Sequence, residues 1–204
     1  MSGEYSRRGG ADMPQFLSVA RWRELEQSSH DTKHEYIDGR VYAMSGGSRN
    51  HGQVSSNAHH LLEDAIGNDC YAYNSDVATR LSASRYTYPD VTVTCDERDS
   101  ATYETEVFSP RVIVEVLSPS TEAYDRGDKF GYYRACPNVQ EYVLIATTVQ
   151  GVDIFRRTTQ GWKIYEHYGP DDIMELESLD IHIHVSALYR RASVPATNAP
   201  EGEV

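Results

Sequence analysis

Two acidic residues, Asp90 and Glu115, lie in segments whose patterns would bring their carboxylates together. Asp90 follows Pro89 and precedes a strand-like stretch, and Glu115 is the one charge within the apolar run of residues 112–117. A run of this kind is typical of a central strand that is buried on both faces. Because a buried ionised carboxylate is costly unless a cation or hydrogen bonds compensate it, the pair predicts a divalent metal or a raised pKa. Mg²⁺ suits such oxygen ligands, and Mn²⁺ is a possible substitute. The sequence equally allows a structural ion pair between Glu115 and an Arg or Lys.

Lys129 is the cation best placed to act beside these carboxylates. It lies four residues after Asp125 in a helix predicted over residues 123–135, which begins just after the Glu115 strand. From the inner face of that helix, the ammonium could orient an attacking water and neutralise charge developing on a phosphate. The alternative is a surface ion pair with Asp125 that contributes about 0.3–0.5 kcal/mol.

Glu35 is a third acidic candidate. It lies in a strand predicted over residues 33–37, which Asp38 and Gly39 join to a second strand over residues 40–44. An Asp-Gly pair between two apolar stretches is a strong hairpin signal. Glu35 is interpreted either as a further metal carboxylate or as an exposed charge.

Alternating helical and strand patterns predict one mixed domain of the α/β or α+β class. The polar segment 1–13 is expected to be a flexible leader, residues 14–191 the domain, and residues 192–204 a disordered tail. Helices are predicted over 18–26, 50–66 and 123–135, with a last helical turn over 186–191. Further strands are predicted over 70–78, 86–95, 111–117, 139–147, 151–157, 163–168 and 180–185.

Composition excludes several functional classes. The net charge of −12, from 19 basic and 31 acidic residues, argues against a general nucleic-acid coat protein but allows a metal-dependent nuclease. The three cysteines are odd in number and form no CxxC pair, so we expect reduced thiols in a cytoplasmic protein rather than a zinc ribbon or a disulfide framework. No apolar run approaches the ~18 residues of a membrane span, so no membrane partner is expected.

Other polar residues give weaker signals. His182 and His184 share one side of a predicted strand, but no third zinc ligand accompanies them, so packing or solvent exposure is the favoured interpretation. Tyr132, Tyr133 and Arg134 could stack on bases, although tyrosines at such positions more often bury the ring and leave the hydroxyl in water.

An ordered series of motifs between Phe16 and Ile183 resembles the Uma family, a group of restriction-endonuclease-like proteins in the PD-(D/E)XK nuclease superfamily. The matching positions, in chain order, are Glu35-Tyr36-Ile37-Asp38-Gly39, His51, Tyr88-Pro89-Asp90-Val91, Val114-Glu115-Val116-Leu117-Ser118-Pro119-Ser120-Thr121, Asp125, Lys129, Tyr133 and Glu141-Tyr142.

The resemblance implies a restriction-endonuclease-like core, in which helices flank a central mixed β-sheet. It implies that Asp90 and Glu115 are the two acidic residues of the nuclease motif and that Glu35 is an early acidic residue of the site. The superfamily usually carries a Lys two residues after that Glu, where this chain has Leu117. Lys129 on the following helix is the matching family position for the Lys. His51 matches a position with an accessory polar role.

Residue chemistry and resemblance together indicate a Mg²⁺-dependent endonuclease that hydrolyses DNA. Asp90 and Glu115 would hold the metal with the backbone carbonyl of Val116, Glu35 would complete the acidic pocket, and Lys129 would position water. A homodimer is expected, because two copies of one site related by a two-fold axis can cut both strands. Two alternatives stay open. One is a catalytically inactive module that binds DNA or protein, and the other is an internal ion-pair network in an oligomer subunit.

Overall fold

We describe residues 16–44, 46–100 and 105–197 in a computed structural model, with the side chains of residues 164 and 165 left out. The leader predicted over residues 1–13 lies outside these ranges. The helices are α1 (Val19–Ser28), α2 (Arg49–Ala65), α3 (Glu122–Tyr124), α4 (Phe130–Ala135) and α5 (Val185–Leu188). The strands are β1 (His34–Ile37), β2 (Arg40–Ala43), β3 (Tyr71–Asn74), β4 (Ala78–Ser82), β5 (Arg85–Thr87), β6 (Val91–Thr94), β7 (Glu106–Val107), β8 (Pro110–Val116), β9 (Glu141–Ile145), β10 (Val152–Thr158), β11 (Gly161–Tyr168), β12 (Ile173–Leu176) and β13 (Ile181–His184).

A six-stranded mixed sheet in the order β11-β10-β9-β8-β6-β3 forms the centre of the fold. The β8–β9 pair is parallel and the other pairs are antiparallel. This arrangement confirms the predicted central mixed sheet. Val91 at the start of β6 lies opposite Val114 of β8, so Asp90 enters the sheet beside Glu115.

The two faces of β8 enter different cores. Val112, Val114 and Val116 pack in the cluster that includes α2, whereas Ile113 and Leu117 pack in the cluster that includes Tyr133 of α4. Because side chains alternate along a strand, Glu115 lies on the face of Ile113 and Leu117. The charge is therefore directed toward the segment that carries α3 and α4.

Helix α2 confirms the predicted helix over residues 50–66. The Ser48 side chain accepts a hydrogen bond from the His51 backbone N–H at 3.2 Å, which caps the first turn. Val54, Ala58 and Leu62 recur every four residues and are buried against the central sheet.

A second, five-stranded sheet in the order β2-β1-β5-β4-β7 brings in the hairpin. Asp38 and Gly39 both adopt positive φ, at 49° and 91°, as the predicted two-residue turn requires. Beneath this sheet, the Trp22 ring packs against Tyr86 with a centroid distance of 4.6 Å. The hairpin places Glu35 on a strand that is buried throughout its length.

The helix predicted over residues 123–135 forms in three pieces. Helix α3 continues into a π-helical turn, Asp125–Lys129, and then into α4. A π turn inserts one extra residue into the helix and often occurs at functional sites. Here it lies where Asp125 and Lys129 are both buried.

Two predicted strands differ from the structure, and some observed strands have no predicted counterpart. The strand over 86–95 divides at Pro89, which lacks an N–H donor, and its halves join different sheets. The strand over 70–78 likewise ends at Asn74, before the turn to β4. Strand β12 was not predicted, because its two buried residues, Met174 and Leu176, form too short an alternation.

The folded unit extends beyond the boundary predicted at residue 191. Val194 is buried in the main core, and Ser193 exchanges backbone hydrogen bonds with the Asn50 side chain. Residues 198–204 lie outside the described part of the chain.

The expectation of three reduced thiols is wrong, because Cys70 and Cys95 form a disulfide. Tyr71 of β3 lies opposite Thr94 of β6, so the next residue outward on each strand is a cysteine. Cys136 is a buried free thiol. The disulfide removes the cysteine argument for a cytoplasmic location, which stays an expectation. In the described ranges, no helix has the length and apolar character needed to cross a bilayer.

Reducing the disulfide is expected to lower the free energy of unfolding by about 3 kcal/mol, because it closes a 25-residue segment. Urea unfolding with and without dithiothreitol measures the difference. The Cys70→Ser/Cys95→Ser variant is the control and should be insensitive to dithiothreitol. An unchanged midpoint for the reduced wild-type protein would contradict a stabilising disulfide.

Candidate active site

A cavity of about 320 Å³ opens where the two sheets meet. The hairpin β1–β2 forms one wall, and the ends of β6 and β8 form another. The start of α2 and the loop Ser118–Thr121 complete the rim. Its titratable lining, apart from tyrosines, consists of Glu35, His51, Asp90, Glu115, Asp125 and Lys129.

The Lys129 ammonium lies among three carboxylates at the base of this cavity. Its Nζ is 2.7 Å from Oε1 of Glu115, 3.1 Å from Oε1 of Glu35 and 3.8 Å from Oδ1 of Asp125. All four side chains are buried. Glu35 comes from the second sheet, Glu115 from the central sheet, and the other two from the π turn. The ammonium therefore joins both sheets to the helical segment.

Burial and like charge act together on the ionisation of these groups. Burial, with the neighbouring charges of Asp90 and Asp125, raises the pKa of Glu115 to about 8 although Lys129 lowers it. Burial also raises the pKa of Asp125. Burial alone would lower the pKa of Lys129, but Glu115, Glu35 and Asp125 hold it well above its ordinary value. Lys129 is thus a permanent cation in a site with excess acid.

Two tyrosines hydrogen-bond the acidic segments of the site, one at a carboxylate and one at a backbone carbonyl. The Tyr133 hydroxyl donates to Oε1 of Glu115 at 2.5 Å, and the Tyr142 hydroxyl donates to the Asp125 backbone carbonyl at 3.0 Å. Their rings pack with centroids 4.9 Å apart. The two hydroxyls thus supply hydrogen bonds to the acidic segments from the aromatic side of the site.

Asp90 approaches the cavity from the residue just before β6, opposite Glu115. Its Oδ2 accepts a hydrogen bond from the Val116 backbone N–H at 2.8 Å and lies 3.5 Å from Nε2 of His51. The hydrogen bond to Asp90 raises the pKa of His51. A Cβ at position 47 would lie 2.7 Å from Nδ1 of His51, so Gly47 allows the loop to pack closely on the imidazole.

The structure brings together Glu35, Asp90, Glu115 and Lys129 around one cavity, as the sequence predicted. Val116 also lines it and holds Asp90 through its N–H. The structure also contains the ion pair between Glu115 and a basic residue that was the alternative interpretation. Both interpretations are compatible with the position of Lys129.

Leu117 occupies the position where the superfamily pattern has its lysine. It lies on the same face of β8 as Glu115, and it is buried in the aromatic cluster beneath α4. Lys129 reaches Glu115 from the helix instead. The departure from the superfamily pattern thus leaves the ammonium within ion-pair distance of the carboxylate.

Sequence reasoning missed two contributors to the site. Asp125 matches a family position and is a predicted partner of Lys129, but its burial in the cavity wall is not predicted. Tyr133 was considered for base stacking, but it is fully buried and hydrogen-bonds Glu115. A Tyr four residues after Lys129 was the available signal, because residues at this spacing share a helix face.

The remaining histidine pair lies elsewhere. His182 and His184 are exposed on β13, and His182 lies 3.7 Å from Glu175. This position agrees with the solvent-facing interpretation.

The donor set fits a hard divalent cation held by few protein ligands. Asp90 and Glu115 both line the cavity, and carboxylate oxygens are the ligands that Mg²⁺ prefers. Within the described ranges, no group of three His, Cys, Asp or Glu is arranged to hold a metal. Mg²⁺ commonly uses one or two carboxylates and completes its shell with water and substrate phosphates, so two carboxylates suffice.

Comparison with known families agrees with this geometry. Residues 19–186 match the model of the Uma2 family, which carries the description "Putative restriction endonuclease". The chain belongs to the Uma2 family. Its cavity residues Glu35, Asp90, Glu115 and Lys129 all lie within the matched range.

Two relatives come from Synechocystis sp. (strain ATCC 27184 / PCC 6803 / Kazusa). The uncharacterized protein slr1290 is 40% identical over 176 residues, covering 85% of this chain and 92% of the relative. The uncharacterized protein sll1609 is 31% identical over 169 residues, covering 81% and 95%. Each alignment covers more than nine-tenths of the relative's own length.

A solved structure shares the fold. The crystal structure of a putative nuclease belonging to DUF820 from Anabaena variabilis ATCC 29413 superposes with a TM-score of 0.69 at 17% identity. The match covers 85% of this chain and 98% of that chain. The predicted restriction-endonuclease-like architecture is thereby confirmed.

Replacing Lys129 with Met should lower the free energy of unfolding at pH 7 by about 3–5 kcal/mol, because it leaves buried carboxylates without their cation. The loss should shrink as the pH is lowered and the carboxyls take up protons. Urea unfolding of wild-type and Lys129→Met protein at pH 5 and pH 7 measures both effects. Equal stability of the two proteins at pH 7 would contradict a central role for this ammonium.

Proposed function

We propose that this Uma2 protein is a Mg²⁺-dependent endonuclease that hydrolyses phosphodiester bonds of DNA, with Mn²⁺ as a possible substitute. The family description and the shared fold of a nuclease support this function. The observation that carries the proposal is the cavity itself, in which a buried Lys129 ammonium contacts Glu35 and Glu115 while Asp90 lines the same space. Superfamily chemistry requires these groups in one place.

Asp90 and Glu115 are the proposed metal ligands, together with the backbone carbonyl of Val116. When bound, Mg²⁺ would lower the pKa of a coordinated water and stabilise charge on the phosphate. Glu35 completes the acidic pocket and keeps the lysine charged. The Tyr133 hydroxyl holds one oxygen of Glu115, so the carboxylate is oriented before any ligand arrives.

Lys129 is the proposed water-positioning and charge-neutralising residue. An ammonium carries three N–H donors. Two carboxylate oxygens lie within 3.1 Å of Nζ, and the contact with Asp125 at 3.8 Å is longer than a hydrogen bond. In this proposal, an N–H group of Lys129 donates to a water or phosphate oxygen in the cavity.

An inactive nuclease-fold module is the second candidate. Leu117 in place of the strand lysine favours it, as does the surplus of acidic residues around Lys129. Such a module would bind DNA or protein and leave phosphodiester bonds intact.

Plasmid nicking tests the proposal. Supercoiled DNA should be relaxed in the presence of Mg²⁺ or Mn²⁺ and not in the presence of EDTA. Asp90→Asn and Glu115→Gln should each lower the rate at least about 100-fold, because each removes charge from the metal site. The control is Glu122→Gln, an exposed carboxylate paired with Arg126, which should cut at the wild-type rate.

Two outcomes other than cutting separate the candidates. Binding without cutting over a broad set of DNA substrates would contradict the endonuclease and support the module. If the protein neither binds nor cuts DNA, the internal ion-pair network is the interpretation that remains for this site. If cutting occurs, light scattering tests the proposed homodimer, which a monomeric mass for active protein would contradict.

A further inference from the structure

The acidic character of the cavity raises the question of what holds the DNA backbone. Glu35, Asp90, Glu115 and Asp125 face one lysine, Lys129, and the half-buried His51. This balance repels the phosphates that flank a scissile bond. Affinity for DNA depends on cations that neutralise phosphates, so those cations must lie outside the cavity.

Most cations of the described chain are already engaged. Arg156 pairs with Glu141, for example, and even the exposed Arg98 pairs with Asp96. Within the described ranges, three exposed arginines have a side chain with no carboxylate partner, hydrogen bond or aromatic ring. These three, which we call the arginine surface, are Arg49, Arg190 and Arg191.

Side-chain hydrogen bonds from α2 hold the arginine surface together. The Asn57 amide donates to the backbone carbonyls of Leu188 and Arg190, each at 2.8 Å. The Asn50 side chain donates to the Ser193 carbonyl and accepts from its N–H, each at 3.0 Å. Because Arg49 is adjacent to Asn50, the segment that carries Arg190 and Arg191 is fixed beside the first turn of α2.

The backbone at Arg191 supports a functional role. Its φ of 64° lies in the left-handed region that favours glycine. Strained residues of this kind persist where the surrounding contacts hold them, and they concentrate at binding and catalytic sites. Here Asn57 holds the backbone just before Arg191, at Leu188 and Arg190, and Asn50 holds it just after, at Ser193.

We propose that the arginine surface binds the phosphate backbone of DNA beside the cavity. Ser48 and His51, on either side of Arg49 and Asn50, both line the cavity, so the surface adjoins its rim. The inference rests on the proposed function, since it supplies the cations that the acidic site lacks. Among the described residues, these three guanidinium groups have no carboxylate partner, which is a local exception on a chain of net charge −12 and suits a polyanion.

Fluorescence anisotropy with a labelled duplex tests the proposal in EDTA, where binding is measured without cleavage. The variant Arg49→Gln/Arg190→Gln/Arg191→Gln should bind at least about 10-fold more weakly than wild type at 50 mM salt. The slope of log affinity against log salt should become shallower by about 1 for each phosphate contact removed.

Matched variants separate charge from structure. Arg21→Gln and Arg98→Gln remove exposed arginines that are paired with carboxylates, and both should bind DNA as wild type does. Arg191→Lys should retain binding, whereas Arg191→Gly, which suits the backbone and removes the charge, should weaken it. Circular dichroism verifies folding, and the single variant Arg49→Gln replaces the triple variant if the latter unfolds.

The outcomes distinguish this inference from the proposed function. The wild-type protein could nick plasmid DNA while the triple variant keeps the wild-type affinity and salt slope. That result would overturn the arginine surface but leave the endonuclease proposal intact. Weakened binding in a protein that never nicks would overturn the endonuclease and support the surface. Three further results would each overturn the proposed DNA-binding role of the arginine surface. They are tighter binding of an RNA duplex of the same sequence, a variant that changes only in oligomeric mass, and no DNA binding by the wild-type protein at 50 mM salt.

Discussion

The buried ammonium of Lys129 is the constraint on which the rest of the structure depends. Glu35, Glu115 and Asp125 come from three separate segments, and burying them together without a cation would be prohibitively costly. Lys129 contacts all three and thereby fixes the hairpin sheet, the central sheet and the π turn relative to one another. The charge that stabilises the junction is also the charge that hydrolysis of a phosphodiester requires. The Lys129 side chain therefore both stabilises the fold and serves the proposed chemistry.

The packing on that face of β8 agrees with a lysine on the helix and a leucine at the strand position of the superfamily pattern. Residue 117 lies beneath α4 among Tyr133, Tyr142 and other aromatic side chains, where Leu117 fills apolar space. A lysine at this position would place its ammonium in the apolar core beneath α4, where burying the charge is costly. The π turn instead directs Lys129 at Glu115 from the opposite element, and Tyr133, one turn later, completes the carboxylate's hydrogen bonding. The same helical segment therefore carries both the proposed counterpart of the strand lysine and the tyrosine that hydrogen-bonds Glu115.

Local signals in the sequence were sufficient for most of the architecture. The Asp38-Gly39 turn, the apolar run of β8 and the capped start of α2 each follow from short-range rules. The resemblance then added the roles of Asp90, Glu115 and Lys129. The disulfide between Cys70 and Cys95 depended on knowing that β3 and β6 are adjacent, which no local pattern gives. The burial of Asp125 depended on the π turn, and the packing of Val194 depended on hydrogen bonds from a helix far away in the chain.

Binding of a divalent cation by Asp90 and Glu115 is the central claim, and a crystal soaked in Mn²⁺ tests it most directly. Data collected above the manganese absorption edge locate the ion by its anomalous scattering. The account predicts a peak in the cavity within about 2.5 Å of carboxylate oxygens of both residues, with Lys129 still paired to Glu35. No peak in a crystal soaked at millimolar Mn²⁺, or a peak only at surface carboxylates, would contradict it.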